Sequence, residues 1–519
     1  MSEVIKRVTS VGGGSAGWLA AGVLASRFKP MSEGGIEVTV IESPDVNIIG
    51  VGEGTWPSMR STLQAIGVSE TDFIRECDVS FKQGSYFKNW RNGSDEYYHP
   101  FSPPGDFSQI NLVEPWQSLN GSPSFADMVS PQIEVCRQNK APKQITTPEY
   151  AFILNYGYHL NAGKFGEFLK KHCTEVLGVQ YLCDHVNGVN SAEDGSIASL
   201  VTKNHGNHCA DLYIDCTGFS SILLGQHYGI EFNDVRHVLF NDTALAVQVV
   251  YEDAEQAISS QTSATAQSAG WVWDIALPHR RGCGYVYSSA HVDDETAHRE
   301  LLDYLSLSID RTVAESLSFR KIPINSGYRK QFWTKNCLAI GLSAGFVEPL
   351  EASALVLVEM SAKYLADEFP ATKEVMPLVA KRFNQKLESH WHQIIDFLKL
   401  HYCLTDRSAS DYWIDNKKPE SLTQSLLESL SLWQYRPPWH MDAPMIDALF
   451  PSASYQYVLS GMGFISQTQT VAKRGTDTQQ QAAQRIFSEV HQKRKKLLAA
   501  LPTNRDLLDR VKQHGLQTV

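Results

Sequence analysis

The chain has 519 residues, 43% hydrophobic and 20% charged, which is long for a single core and too apolar for a disordered chain. Its net charge of −11 argues against a nucleic-acid binder, which would carry a basic excess or stripe. Nine cysteines include no CxxC pair and no His/Cys ladder at zinc spacing, so no metal site is expected and a reducing, cytoplasmic compartment fits better than a disulfide framework. The start "MSEVIKRVTSV" lacks an apolar signal core, and no apolar run reaches the length of a membrane span.

In chain order, residues 4–11 read as a first strand. "GGGSAGWLAAGVLASRF" reads as a glycine turn opening a helix, and residues 36–43 as a second strand; together they form a βαβ unit. Residues 45–140, rich in Gly, Pro and aromatics, read as long loops with short helices. An amphipathic helix is expected from about residue 158, then meandering strands with an Asp194-Gly195 turn, and further strands over 235–330. Residues 336–369 read as strand, loop and helix. Beyond about 375 the pattern is mainly helical, interrupted by the aromatic clusters "LWQYRPPWHM" and "SASYQYVLSGMGF". The "KRKK" of the tail helix reads as a solvated face.

Gly12, Gly14 and Gly17 stand in G-x-G-x-x-G spacing between a strand and a helix. The first allows the tight turn, the second lets a pyrophosphate approach the backbone, and the third lets helix pack on strand. The helix start, at Ser15 and Ala16, offers amides and a positive dipole end to phosphates. Glu42 ends the second strand, where a carboxylate can bind a ribose hydroxyl. The motif leaves FAD and NAD open. "DLYIDCTGF", with Asp215 and Gly218 at a strand end, tips the reading to FAD. In "GWVWDI", alternation places Trp271 and Trp273 on one strand face, where they serve as core packing, a wall, or both.

"GGGSAGW", "IGVGEGTWPS", "SFKQG", "GWVWDI" and "FVEPLEASAL" occur in that order, and together they resemble the flavin-dependent tryptophan halogenase family. Ala276 stands where the family's Trp-x-Trp motif continues with proline, and Ala352 where tryptophan-specific members carry serine. The resemblance implies an α/β to α+β fold, with an FAD-binding Rossmann-type core like that of aromatic hydroxylases, a mixed sheet and a mainly helical C-terminal part. It places an FAD-binding and catalytic core at 1–375 and a helical region completing the substrate pocket at 376–519. Reduced FAD from a separate reductase, oxygen and chloride or bromide would yield hypohalous acid, which then halogenates an electron-rich arene. Lys82 and Glu351 would handle that oxidant. Ser353 and Ala354 would bind halide through backbone amides, and Gly52, Glu53, Leu342 and Leu355 would join the FAD site. His99, Phe101, Trp439 and Tyr455 are the candidate substrate contacts. No clear match exists to the stretch that clamps the amino-acid group of free tryptophan, which favours indole or an indole-like substrate.

On residue chemistry alone, Lys82 reads as a solvated lysine and Glu351 as a helix-start charge. Yet a buried ammonium can polarise hypohalous acid, and a carboxylate can take the arene proton. Two rival readings are an FAD-dependent aromatic hydroxylase (against which Leu342 stands at the position of the expected aspartate) and a non-catalytic flavoprotein. Neither a membrane nor a nucleic acid is expected as partner, and homodimerisation is left open.

Overall fold

The computed structural model describes residues 3–45, 52–120, 122–443, 448–467 and 477–518. Residues 49–51 of the "IGVGEGTWPS" segment lie outside them. The chain forms two compact units, each assembled from three segments. The first comprises Met1–Val79, Leu160–Val235 and Asn325–Trp391; the second comprises Ser80–His159, Arg236–Ile324 and His392–Val519.

The first unit is built on a six-stranded sheet in the order Trp333–Thr334, Cys337–Ala339, Leu212–Asp215, Arg7–Val11, Glu37–Glu42, Gln180–Cys183. Arg7–Val11 lies between two parallel neighbours, pairing Val8 with both Val38 and Leu212. "VTSV" is buried at every position, as expected for a parallel strand covered on both faces. One face meets the three-stranded Val186–Ser191, Ile197–Thr202, Gly206–His208 sheet through Val11, Ile41, Tyr213, Ile197 and Leu200. The Ser15–Phe28 helix packs against the Ala162–Glu175 and Ser353–Asp367 helices, burying an unbroken run from Gly17 to Ala25.

The second unit is built on a seven-stranded sheet in the order Arg320–Pro323, Thr243–Val250, Arg280–Tyr287, Gly270–Ala276, Thr262–Ala266, Gly84–Lys88, Glu96–Pro100. Val272, Tyr285 and Tyr287 pack with Leu301 and Leu305 of the Asp294–Leu305 helix. Ile486, Phe487 and Val490 of the Asp477–Ala500 helix form another core with Trp116, Phe125, Ile133 and Tyr457.

The mixed α/β architecture is as expected, and the local differences have local causes. Strands Ser80–Lys82, Gly84–Lys88 and Glu96–Pro100 occupy the stretch read as loops, because sheet pairing supplies an order that their short apolar runs do not advertise. The helix expected from 158 starts at Ala162, after the strand Gly157–Leu160. Asn161 sets that start, since its side chain accepts hydrogen bonds from the Gly163 and Lys164 amides. Asp293 and Asp310 likewise cap two helices, Asp294–Leu305 and Arg311–Ser316, within the region read as strands. "SASYQYVLSG" is a helix, not an interruption of one. Nine of its ten residues are buried, so no polar face marks a helical period. No helix among the described residues is long and apolar enough to cross a membrane.

Candidate active site

Three loops leaving the carboxyl ends of adjacent parallel strands converge in the first unit. The Gly12 amide donates to the Ile41 carbonyl at 2.8 Å, and the Cys216 amide to Val11 at 2.8 Å. Gly12 has φ +115°, and a methyl group there would lie 2.2 Å from the Cys216 carbonyl oxygen, so only glycine fits. A methyl on Gly17 would lie 1.9 Å from the Gly12 carbonyl oxygen. Gly14 differs, since a methyl there would meet nothing within 4 Å. Its amide chain opens the Ser15–Phe28 helix with no side-chain cap and no acid in the first turn. Open space, uncapped amides and a positive dipole end form a cradle suited to a pyrophosphate. Ser15 and Ala16 are half-buried at that opening, and Gly341 closes on Ala16, a methyl on Gly341 lying 2.9 Å from the alanine Cβ. The neighbouring Leu342 is half-buried in the Gly341–Ser343 turn.

The carboxylates near this turn have distinct environments. Glu42 is ion-paired with Lys170 at 2.8 Å and lies against Gly13. Asp215 is fully buried. One of its oxygens accepts from the Thr217 amide and hydroxyl, at 3.0 and 2.6 Å; the other accepts from the Leu223 and Leu224 amides, at 2.9 and 2.8 Å. Its carboxylate therefore caps the turn that follows its own strand. Gly52 is buried with φ +128°, and burial pushes the next residue, Glu53, up to about 7.

Glu351 is 3% exposed and immediately precedes Ala352, the left-handed N-cap (φ +55°) of the Ser353–Asp367 helix. A non-glycine residue in that conformation is uncommon and mildly strained. Ser353 and Leu355 are buried and Ala354 half-buried in the first turn, which again has no side-chain cap and no acid. Such a turn suits an anion at its amides. Two partners of this segment are not among the residues expected from sequence. The Trp56 indole N–H donates to the Glu351 carbonyl at 2.7 Å. Glu359 is fully buried, accepts from Ser58 at 3.1 Å and from Thr62, and is pushed by burial up to about 7. Trp56 belongs to the "IGVGEGTWPS" motif; Glu359 carries no signal beyond its place in an apolar helix.

Lys82 belongs to the second unit and is 1% exposed, so it is not a solvated surface lysine. It pairs with Gly157 in an antiparallel strand pair, and its Nζ stands 5.3 Å from the centre of the Phe101 ring. The strand is held from several sides. Ser80 Oγ donates to the Ala276 carbonyl at 2.5 Å, the Asn504 amide group to Phe81 at 3.1 Å, and the Gln83 N–H to Ser260 at 2.7 Å. His159, fully buried, has its imidazole lowered well below 6.5 by burial and by the Lys82 charge, so it is neutral at physiological pH. Its Nε2 lies 2.8 Å from Thr262 Oγ1.

The aromatic candidates fall into linked groups. His99 Nε2 lies 2.9 Å from Ser454 Oγ. The His99 and Tyr455 rings both pack on Phe397, at 5.7 and 5.0 Å. Trp439 packs on Phe107 at 5.2 Å, and the preceding Pro438 carbonyl accepts from Gln456 at 2.8 Å, beside Tyr455. Trp271 and Trp273 share one face of the central strand, as their alternation predicts, with ring centres 6.5 Å apart. Trp273 lies over Gly284, where a methyl group would come within 2.1 Å of the indole. Trp271 packs on Trp90 at 6.4 Å. Elsewhere in this unit, residues 102–106, 129–131, 152–155 and the Asp477–Ala500 helix line a cavity of about 520 Å³.

Strand order, glycine turn and converging loops define a dinucleotide-binding enzyme of the Rossmann type. A family model described as tryptophan halogenase matches residues 7–477, and the chain belongs to that family of flavin-dependent halogenases, which are oxidoreductases. It is 47% identical to a tryptophan halogenase of known crystal structure from Shewanella frigidimarina NCIMB 400, with a TM-score of 0.96 over 99% of both chains. It is 30% identical to the 7-chloro-L-tryptophan 6-halogenase KtzR of Kutzneria sp. (strain 744), covering 97% of this chain and 99% of the relative. It is also 28% identical to BrvH, a flavin-dependent halogenase from Brevundimonas sp. BAL3, with a TM-score of 0.84 over 98% and 99% of the two chains. The hydroxylase and non-catalytic readings are thereby set aside.

Proposed function

We propose that this halogenase acts on an electron-rich arene of the indole class and that Lys82 activates the halogen donor. The observation that carries this reading is a lysine 1% exposed with an aromatic ring 5.3 Å from its Nζ. Burying an ammonium is costly, and strand pairing and the bonds at Ser80, Phe81 and Gln83 hold this one in place.

The turn at Gly12, Gly14, Ser15, Ala16 and Gly17, with Glu42, Gly52, Glu53, Asp215, Leu342 and Leu355, would hold FAD; Asp215 would do so through the turn that it caps. Bound reduced FAD supplies the oxidation of chloride or bromide by oxygen. The Ser353 and Ala354 amides hold the halide. The Lys82 ammonium donates a hydrogen bond to the oxygen of hypohalous acid, which makes the halogen more electrophilic. The arene carbon takes the halogen while the departing hydroxide takes a proton from the Lys82 ammonium and leaves as water; the lysine regains a proton from solvent as Glu351 releases one to it. Glu351 accepts the ring proton, so that arene and hypohalous acid become haloarene and water. Phe101 would offer a ring face to the arene beside Lys82, with His99, Tyr455 and Trp439 as further candidate contacts.

The name of the Shewanella relative specifies tryptophan and that of KtzR a chlorotryptophan, while that of BrvH specifies no substrate. For this chain the substrate is proposed as indole or an indole derivative, because no stretch matches the amino-acid clamp. The test supplies indole and tryptophan with FAD, NADH, a flavin reductase and either halide, read by mass spectrometry. Parent enzyme is expected to add one halogen to indole, and folded Lys82→Met to form less than about a hundredth of the product. Undiminished halogenation by Lys82→Met overturns the assignment, and a mass shift for neither compound removes the indole class.

A further inference from the structure

We infer that Gln132 is a positioning residue for Lys82 and Phe101, an inference that rests on the roles proposed above for those two side chains. Gln132 is fully buried, and its amide reaches three separate segments. Its Oε1 accepts from the Ser102 N–H at 3.0 Å. Its Nε2 donates to Gln83 Oε1 at 3.1 Å and to the Asn155 carbonyl at 2.7 Å. A backbone donor on one side and a backbone carbonyl on the other admit only this orientation of the amide.

The three partners flank the proposed chemistry. Gln83 follows Lys82, Ser102 follows Phe101, and Asn155 leads into the strand whose Gly157 pairs with Lys82. Further bonds close the network. The Phe101 N–H donates to the Gln83 carbonyl at 3.0 Å, Asn155 Nδ2 to the Phe101 carbonyl at 2.9 Å, and Gln83 Nε2 to the Lys140 carbonyl at 2.8 Å. One buried amide therefore sets the spacing of the lysine-bearing strand from the aromatic segment. It also holds Ser102 and Asn155, which line the cavity of about 520 Å³. Fully satisfied buried networks of this kind rigidify what they join, and reacting groups lose rate steeply when displaced by an ångström.

The test compares parent, Gln132→Met, Gln83→Met, the double variant and Lys82→Met, in the full chain with FAD, reductase, bromide and indole. Folded protein is verified by thermal melting above the assay temperature. The expected result for Gln132→Met is a fall in kcat of about tenfold with the KM for indole within about twofold, and a broader distribution of brominated positions. The double variant should lose no more than the worse single variant, because both changes break one network. A purely structural role would lower the melting temperature and leave the product ratio and the kcat of folded protein unchanged. That outcome, with Lys82→Met inactive, overturns the inference alone. Full activity in Lys82→Met instead overturns the underlying reading of Lys82. If Gln132→Met does not fold, Gln83→Met, which breaks one bond to Gln132 and one to the Lys140 carbonyl, decides between the same outcomes through the same two readouts.

Discussion

Gly14 and Gly17 occupy one turn and answer to opposite demands. Gly17 faces the Gly12 carbonyl so closely that a methyl group would sit 1.9 Å away, so its requirement is internal packing. Gly14 has ordinary dihedrals, φ −74° and ψ −179°, and faces open space, so its requirement is external. Gly17→Ala is therefore expected to destabilise the fold severely, since backbone has to move. Gly14→Ala should melt within a degree or two of parent yet bind FAD at least about tenfold more weakly, because the methyl occupies the phosphate approach. Calorimetry without cofactor and FAD titration separate the two effects. Equal FAD affinity in Gly14→Ala would remove the cradle. Ala352 poses a similar question at the other helix start, where a left-handed backbone carries a side chain next to Glu351; residues held in that region cluster at functional sites.

At the scale of elements, the Ser58–Ala65 and Ser353–Asp367 helices are tied by one buried carboxyl. Ser58 and Thr62 donate to Glu359 from one helix, while Lys363 stands 4.0 Å away on its own helix. Burial outweighs these favourable contacts and moves the group from its usual 4.5 to about 7. The folded state therefore favours the protonated form. Its cost is absent below pH 4.5, grows as pH rises, and is complete above about 7. The interval corresponds to about 3 kcal/mol at most. Glu359→Gln, which keeps one acceptor oxygen and can donate from Nε2 to the other hydroxyl, should match parent stability at pH 4.5 and exceed it at pH 8, by several degrees in melting temperature. A melting difference independent of pH would refute this account. Just before the same two helices, Trp56 donates to the Glu351 carbonyl, a second tie between the segments that lead into them.

At the scale of the whole molecule, the chain shows a dinucleotide turn at Gly12–Gly17 and buried candidates for arene chemistry at Lys82 and Phe101. We propose that electrons arrive only through a partner reductase. Purified protein with NADH, FAD and bromide should leave indole unchanged, and adding a flavin reductase should produce bromoindole. Rapid NADH oxidation by the protein alone, stimulated by an aromatic, would contradict that division of labour.

The glycine turn, the βαβ start and the paired tryptophans were legible because each rests on short-range spacing: φ and steric demands at Gly12 and Gly17, and period-two alternation in 270–276. The buried helix 452–461 and the strands at 80–100 were not, because burial on all sides erases the polar period and pairing partners lie far along the chain.

The order of residues by itself determined the cofactor class, the family resemblance and the identity of Lys82 and Glu351 as candidates, since motif spacing is a local, one-dimensional property. Only the tertiary structure decided that Lys82 is buried beside Phe101, that Asp215 spends its carboxylate on capping its own turn, that Gln132 bonds the Gln83, Ser102 and Asn155 segments, that Trp56 donates to the Glu351 carbonyl, and that Glu359 accepts from Ser58. Burial and hydrogen bonding join residues up to hundreds of positions apart, and no local pattern records which will meet.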